Sequence, residues 1–259
     1  LVATDYPGLG TEGTHPYLVG DANGRSVLDA VRAAHQLGDV GTESETIVWG
    51  HSQGGGVALW TGQLAPTYAP DVGLLGVAAA APAADLPAFV DTIESMLGGS
   101  IFASYVLTGY AGTYPDVRFE DYVRPGAAAI VNGLAERCLG EPAVLGSVLA
   151  TITVNMSVFT GLGGGALEAL LADNVPAGPF EMPVLLAQGT TDTIIDPAAQ
   201  AEFAARLCAD GAPLDYRTYD GLGHVALVDT DSPYLDDLMA WTTARLSGLI
   251  PHVPGSSAD

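Results

Sequence analysis

The chain has 259 residues, of which 48% are hydrophobic and 15% are charged. This combination is typical of one large globular core with an insertion, and it excludes an intrinsically disordered protein. The formal net charge is −22 and all eight basic residues are arginine, which argues against nucleic acid or an anionic membrane as a partner. No apolar run reaches the ~20 residues of an integral membrane span. The first residues do not have the pattern of a signal peptide.

Strands and helices alternate along most of the chain. Short apolar stretches predict five strands, and amphipathic stretches predict four helices between and after them. Such alternation favours an α/β fold with a mostly parallel sheet and helices on both faces. The predicted strands are residues 1–5, 45–49, 73–81, 183–188 and 214–219, and the predicted helices are 25–37, 56–65, 198–209 and 234–249.

The region 86–180 interrupts this alternation. It is rich in Ala, Gly and Leu, shows helical apolar spacing, and has no clear strand of its own. We therefore expect residues 1–85 and 181–259 to form the core and residues 86–180 to form a helical cap over the active face. Its apolar residues either pack on the core or line an acyl pocket. Short helices are predicted at 86–97, 101–107, 127–138 and 145–153.

A Gly-x-Ser-x-Gly pattern lies between the second predicted strand and the helix that follows it. It reads Gly50-His51-Ser52-Gln53-Gly54. Strand, sharp turn and helix are the context in which this pattern forms a nucleophile elbow, with Ser52 in a strained backbone conformation. The alternative is a glycine-rich turn with a solvated serine, because five-residue patterns also occur by chance. The flanking elements favour the elbow.

A serine nucleophile needs a base and a carboxylate that orients the base. In an elbow of this kind both follow later strands, in the chain order serine, acid, histidine. Asp192 follows the predicted strand 183–188 after a short turn, and His224 follows the strand 214–219 on a glycine-flanked loop. Because the carboxyl ends of parallel strands meet at one edge of the sheet, both are expected to reach Ser52. The alternative for His224 is a structural loop histidine.

Two other residues with the right side chains lie close in sequence to Asp192 and to Ser52. Asp196 is close to Asp192, but it precedes Pro197 at the start of a predicted helix, where an aspartate is explained as an N-cap. Asp192 is therefore the preferred acid. His51 adjoins the nucleophile and is expected to shape the elbow.

Several stretches along the chain are shared with one family. They are DYPGLG at 5–10, PYLVG at 16–20, the elbow, YAPDV at 68–72, the segment 78–86, GTTD at 189–192 and Gly223-His224. Together they resemble the secretory lipase family of α/β-hydrolases over almost the whole chain. The resemblance implies a carboxylic-ester hydrolase with an inserted helical lid, no metal or other cofactor, and an extracellular location. The matching positions are Ser52, Asp192 and His224.

The oxyanion hole is only partly accounted for. Gln53 supplies one backbone N–H donor, and the second usually comes from a loop after an earlier strand. That loop and the family's first strands have no counterpart in these 259 residues, so we expect either a natural short form or an incomplete chain, with Tyr6 as a substitute donor or substrate contact. The exposed sheet edge would then be covered by the cap, a second copy of the chain or an upstream segment. Cys138 and Cys208 are expected to form one disulfide or to remain two buried thiols.

These observations predict a serine esterase or lipase that acts on small-molecule or lipid esters through an acyl-enzyme. Ser52 argues against dehalogenases of this fold, which use an aspartate nucleophile. A polyester hydrolase, a peptidase or an acyltransferase would use the same three residues. From a different class, the alternative is a catalytically weak ligand-binding protein that has kept the fold. Turnover of an activated ester, compared with a Ser52→Ala variant, separates these hypotheses.

Overall fold

A computed structural model describes residues 1–37, 41, 43–139 and 158–248. In this part of the chain, four strands form one sheet with helices on both sides. The strands are β1 (Thr46–His51), β2 (Leu74–Ala80), β3 (Val184–Gly189) and β4 (Leu214–Tyr219). The helices are α1 (Gly20–Gln36), α2 (Gln53–Tyr68), α3 (Leu86–Ser95), α4 (Ser100–Thr113), α5 (Phe119–Tyr122), α6 (Ala128–Ala135), α7 (Gly165–Asp173), α8 (Pro197–Ala209) and α9 (Pro233–Leu246), with short 3-10 helices at Pro70–Val72 and Ala226–Val228.

All four strands are parallel and follow the order β1-β2-β3-β4. Their carboxyl ends therefore lie along one edge of the sheet. The residues of β3 are all buried, and those of β2 are buried from Gly76 onward. Burial on both faces explains why these two strands are nearly continuous apolar runs without alternation. The predicted α/β fold with a mostly parallel sheet is confirmed.

Alternate residues of β2 face opposite helical layers. On one side Ala78 packs in a cluster with Leu238 and Trp241 of α9, and a Cβ at Gly76 would come within 2.5 Å of the Trp241 ring. On the other side, Val77 lies against Gly62 of α2. Glycines at these two contacts let a helix approach the sheet more closely than any larger residue would allow.

The chain divides into two compact units. The sheet unit comprises Leu1–Thr4, Asn23–Ala84 and Pro176–Asp259, and the helical unit comprises Asp5–Ala22 and Asp85–Val175. Within the helical unit, Ile101 and Leu134 form a buried cluster that joins α4 to α6. The role of residues 86–180 as a cap stays a prediction.

The first predicted strand is not present. Residues 1–5 have no regular secondary structure, and the side chains of Leu1 and Val2 are exposed. A strand is stabilised by pairing with a neighbour, and β-propensity alone does not replace that partner. The expectation of a strand at this position is therefore wrong.

In the insertion, three predicted helices are present as α3, α4 and α6, with shifted ends. The fourth, at 145–153, lies outside the described residues, and α5 and α7 were not predicted. Cys138 and Cys208 form no disulfide with one another and both are exposed, so neither expectation for them holds. None of the helices in the described ranges has the length and apolar character to cross a membrane.

Candidate active site

Ser52 lies at the sharp turn between β1 and α2. Its backbone has φ 57° and ψ −118°. Glycine is the residue that adopts a positive φ readily, so this serine is strained. A Cβ at Gly50 would run into the backbone of Gly54, and one at Gly56 would come within 2.5 Å of the Ala83 carbonyl oxygen. The small residues therefore allow the tight turn that the strained serine requires.

Backbone hydrogen bonds hold this turn against the end of β2. The Ser52 N–H donates to the Ala80 carbonyl at 2.9 Å, and the Ser52 carbonyl accepts from the Ala83 N–H at 3.0 Å. Ala81, between these partners, also has a positive φ of 39°. Two strained residues thus face each other at the carboxyl ends of adjacent strands. Strain of this kind persists where the surrounding structure fixes it, and it is frequent at functional sites.

Ser52, His224 and Asp192 form a continuous hydrogen-bonded relay. Ser52 Oγ lies 2.8 Å from His224 Nε2, and His224 Nδ1 lies 2.8 Å from Asp192 Oδ2. The carboxylate requires a proton on Nδ1, so Nε2 is the ring nitrogen that accepts the hydrogen bond from the serine hydroxyl. His224 is 9% exposed and Asp192 5% exposed, so the hydrogen bond between them is shielded from bulk water, whereas Ser52 is half-buried. This arrangement can remove a proton from Ser52.

The Asp192 carboxylate accepts hydrogen bonds from both sides. Oδ1 accepts from the Ile194 and Ile195 N–H groups at 2.8 and 2.9 Å, and Oδ2 accepts from His224 and from the side chain of Gln188. Burial raises the pKa of Asp192, but the hydrogen bonds from His224 and from the two backbone N–H groups outweigh it and hold the pKa below its ordinary value. The carboxylate is therefore ionised at neutral pH.

The loops that carry the acid and the histidine are bonded to each other. Thr190 Oγ1 donates to Asp220 Oδ1 at 3.1 Å and accepts from the Gly221 N–H at 2.9 Å. The Thr191 N–H donates to the Leu222 carbonyl at 3.0 Å. These bonds fix the separation of the two loops, and with it the distance from Asp192 to His224.

His51 contacts the histidine loop as well as forming the elbow. Its Nε2 donates to the His224 carbonyl at 2.9 Å, and the centroids of the two rings are 4.6 Å apart. Burial, followed by the charge of His224, lowers the pKa of His51. A neutral His51 adds no second positive charge beside the His224 imidazolium. Nothing in the sequence indicates the contact with residue 224, because the two histidines are far apart in the chain.

The remaining candidates lie as follows. Asp196 is the N-cap of α8, where its side chain accepts from the Ala198 N–H at 3.0 Å. Gln53 is the first residue of α2, directly after Ser52. Tyr6 belongs to the helical unit, where its ring stacks on His15. The oxyanion role of Gln53 and the role of Tyr6 stay predictions. Within the described part of the chain, no cluster of His, Cys, Asp and Glu could hold a metal ion.

Sequence reasoning missed Gln188 as a partner of the acid. Its amide is buried, and Nε2 lies 3.1 Å from Asp192 Oδ2. A polar residue near the end of an otherwise apolar strand was the available signal, since buried amides need partners.

Comparison with known proteins identifies the family. The family model for secretory lipases matches residues 1–253. Lipase 4 of Candida albicans is 23% identical over 266 residues, which is 96% of this chain and 55% of that protein. The secreted triacylglycerol lipase LIP4 of Malassezia globosa is 36% identical over 104 residues, or 38% of this chain and 22% of that protein. The chain spans about half the length of the curated relatives that it matches over most of its own length.

Solved structures share the fold. The X-ray structure of Candida antarctica lipase A matches with a TM-score of 0.69 at 20% identity, over 92% of this chain and 57% of that one. The rice cell wall degrading esterase LipA from Xanthomonas oryzae matches with a TM-score of 0.63 at 16% identity, over 92% of this chain and 66% of that one. The fold is that of the α/β-hydrolases. With the family model covering nearly all of its residues, the chain belongs to the secretory lipase family.

Proposed function

We propose that this chain is a serine carboxylic-ester hydrolase, an esterase or lipase that acts through an acyl-enzyme. The observation that carries the proposal is the relay from Ser52 Oγ through His224 to Asp192, with both distances at 2.8 Å. A hydroxyl, an imidazole and a carboxylate in this order form an activated nucleophile. The proposed roles are nucleophile for Ser52, base for His224 and orienting acid for Asp192.

In the first half of the reaction, Ser52 Oγ attacks the ester carbonyl carbon while its proton moves to His224 Nε2. The tetrahedral intermediate collapses when the bond from carbon to the alcohol oxygen breaks. His224 gives its proton to that oxygen, and the acyl group stays on Ser52. In the second half, water replaces the alcohol and loses a proton to His224. The acid product leaves and Ser52 recovers its proton.

The negative charge that develops on the carbonyl oxygen of the substrate lies near the start of α2. Backbone N–H groups at a helix N-terminus and the helix dipole stabilise an anion at such a position. We propose the Gln53 N–H as one donor, since Gln53 directly follows the nucleophile. Tyr6 remains proposed as a substitute second donor or as a substrate contact.

The substrate class is proposed from the family and from the names of the relatives. Two of the relatives are a triacylglycerol lipase and a trichothecene C-3 esterase, and both names describe hydrolysis of acyl esters. We therefore propose acyl esters or lipids as substrates and an extracellular location, because relatives carry the name of secreted lipases. A second copy of the chain is a further proposed partner.

The test is turnover of p-nitrophenyl butyrate and of an emulsified triglyceride by the 259-residue chain. Ser52→Ala should lower kcat by at least about 10³-fold and abolish labelling by a fluorophosphonate probe. Ser95→Ala, at an exposed serine at the end of α3, is the matched control and should leave both unchanged. Full turnover by Ser52→Ala, or labelling of another serine, would contradict the proposal. Turnover of the triglyceride separates a lipase from an esterase.

A further inference from the structure

Gln188 is a buried amide in an otherwise apolar strand. It is the fifth residue of β3, in which every residue is buried, and its own exposure is 0%. The preceding residues Leu185, Leu186 and Ala187 are apolar and equally buried. An amide in such surroundings lowers the stability of the fold unless both of its ends are hydrogen-bonded.

Only the nitrogen end of this amide has partners in the described part of the chain. Nε2 lies 3.1 Å from Asp192 Oδ2 and 3.2 Å from the carbonyl oxygens of Gly189 and Ile195. Oε1 has no hydrogen-bond partner there. The three acceptors fix the orientation of the amide, because the reversed amide would place its oxygen against three other oxygens.

The oxygen that Gln188 contacts is the one that faces the base. Asp192 Oδ2 accepts from Gln188 Nε2 and from His224 Nδ1, whereas Oδ1 accepts from the two backbone N–H groups of the loop. His51 also interacts electrostatically with this carboxylate. Asp196 lies further along the same loop, where it caps α8. A donor at Oδ2 favours the ionised carboxylate and restricts the rotation of the carboxyl group.

We infer that Gln188 is a positioning residue that holds Asp192 Oδ2 against His224 Nδ1. The inference rests on the proposed function, because a positioned acid matters only where Ser52 reacts. Gln188 has no exposed surface, so it acts through Asp192 and does not touch a substrate. Its unpartnered oxygen indicates that stability alone would favour an apolar side chain of the same length at this position.

The first test is Gln188→Met, which keeps the side-chain length and removes the amide. We expect kcat on p-nitrophenyl butyrate to fall by about 10- to 100-fold, the scale of one hydrogen bond to a charged group. KM should stay within about threefold, because substrate binding is not involved. The melting temperature should stay close to that of the unmodified protein. Gln188→Leu is the second variant if Gln188→Met folds poorly.

Gln200→Met is the matched control. Gln200 lies in α8 and is 2% exposed, and like Gln188 it has one amide atom, here Nε2, without a hydrogen-bond partner in the described ranges. Its kcat should stay within about twofold of the unmodified protein, because among the described residues no hydrogen bond joins its amide to Ser52, His224 or Asp192. An equal loss of kcat in both variants would indicate a general effect of removing a buried amide and would overturn the inference.

The decisive measurement is a double-mutant cycle with Asp192→Asn. If Gln188 acts through Asp192, Gln188→Met should change kcat by less than about threefold in the Asp192→Asn background. The same fold-loss in both backgrounds, or an unchanged kcat in the single variant, would overturn the inference while leaving Ser52-dependent turnover intact. Absence of Ser52-dependent turnover in the unmodified protein would instead overturn the proposed function, and this inference with it.

Discussion

Asp192 and Asp196 are four residues apart, and their carboxylates have different partners. Asp192 accepts from His224 and from the backbone N–H groups of Ile194 and Ile195, whereas Asp196 accepts from the first turn of α8. The contacts of Asp192 fit the acid of the relay and those of Asp196 fit a helix N-cap. Neither aspartate is therefore needed in the role of the other. The difference follows from the turn after β3, which directs the first carboxylate to the histidine loop.

Exchange of each aspartate for asparagine separates these roles. Asp192→Asn should lower kcat by about 10⁴-fold, because an amide does not hold the histidine in the tautomer that accepts the serine proton. Asp196→Asn should leave kcat within about threefold, since asparagine is an equally good N-cap. Steady-state kinetics on p-nitrophenyl butyrate measures both. The reverse ranking would show that Asp196 is the acid.

The depressed pKa of Asp192 predicts how stability depends on pH. A carboxyl whose pKa is lower in the folded than in the unfolded protein contributes stability that is present above its unfolded pKa, about 3.9. That contribution is lost as the pH falls through the folded pKa. The free energy of unfolding of the unmodified protein, minus that of Asp192→Asn, should therefore be constant above about pH 5 and decrease below about pH 4. Urea titrations between pH 3 and pH 7 give this difference, and a constant difference over the whole range would contradict the assignment of the shift.

At the level of elements, the elbow depends on the close approach of α2 to the segment after β2. Gly56 lies in the first turn of α2, and its Cα faces the Ala83 carbonyl oxygen. The same segment bonds the Ser52 carbonyl through the Ala83 N–H. A displacement of α2 would therefore move the nucleophile as well as loosen the packing.

Gly56→Ala should destabilise the protein by about 1–3 kcal/mol, because the new methyl group would come within 2.5 Å of a backbone oxygen that cannot move freely. Its kcat should fall as well. Gly133→Ala in α6 is the matched control, since a Cβ there meets no atom within 4 Å. It should stabilise the protein by up to about 1 kcal/mol through helix propensity. Urea unfolding of the two variants checks the sign of each effect, and equal stability of both would contradict the close-approach argument.

The net charge of −22 is a property of the whole molecule. The chain has 30 acidic residues against eight arginines, so most carboxylates have no basic partner to pair with. Self-repulsion of this kind destabilises the compact state, and salt screens it. Two hypotheses explain the composition: adaptation to high ionic strength, or a genome composition that replaces lysine with arginine.

A salt titration distinguishes the two hypotheses. If the charge is an adaptation to salt, the melting temperature at pH 7 should rise steadily from low salt to 1 M NaCl, where the screening length is about 3 Å. The rise should be smaller near pH 4, where about half of the carboxyls are protonated. Differential scanning fluorimetry at both values of pH measures this. A flat or falling curve at pH 7 would favour the genome-composition hypothesis.

Much of the sheet unit could be predicted from the sequence. β2 and β3 are apolar runs of strand length, β4 was predicted with its observed bounds, and the helices after them have clear N-cap residues. The start of α1 at Gly20 was not predicted, because its first turn is poor in apolar residues. Gly24 accounts for the earlier start of the helix, since it lets α1 lie against the backbone of α2 near Thr61. Tertiary contact there outweighs the weak helix propensity of glycine.

The sequence by itself determined which residues come to the carboxyl edge of the sheet. The alternation of strands and helices favours a parallel sheet, and short turns after the strands carry Ser52, Asp192 and His224, so all three are expected at one edge. Only the tertiary structure decided what surrounds them: Gln188 on the acid, His51 on the histidine loop, and the absence of a strand at residues 1–5. The physical reason is that a hydrogen bond or a strand pairing needs a partner at about 3 Å, and those partners are brought together by the fold and not by their spacing in the chain.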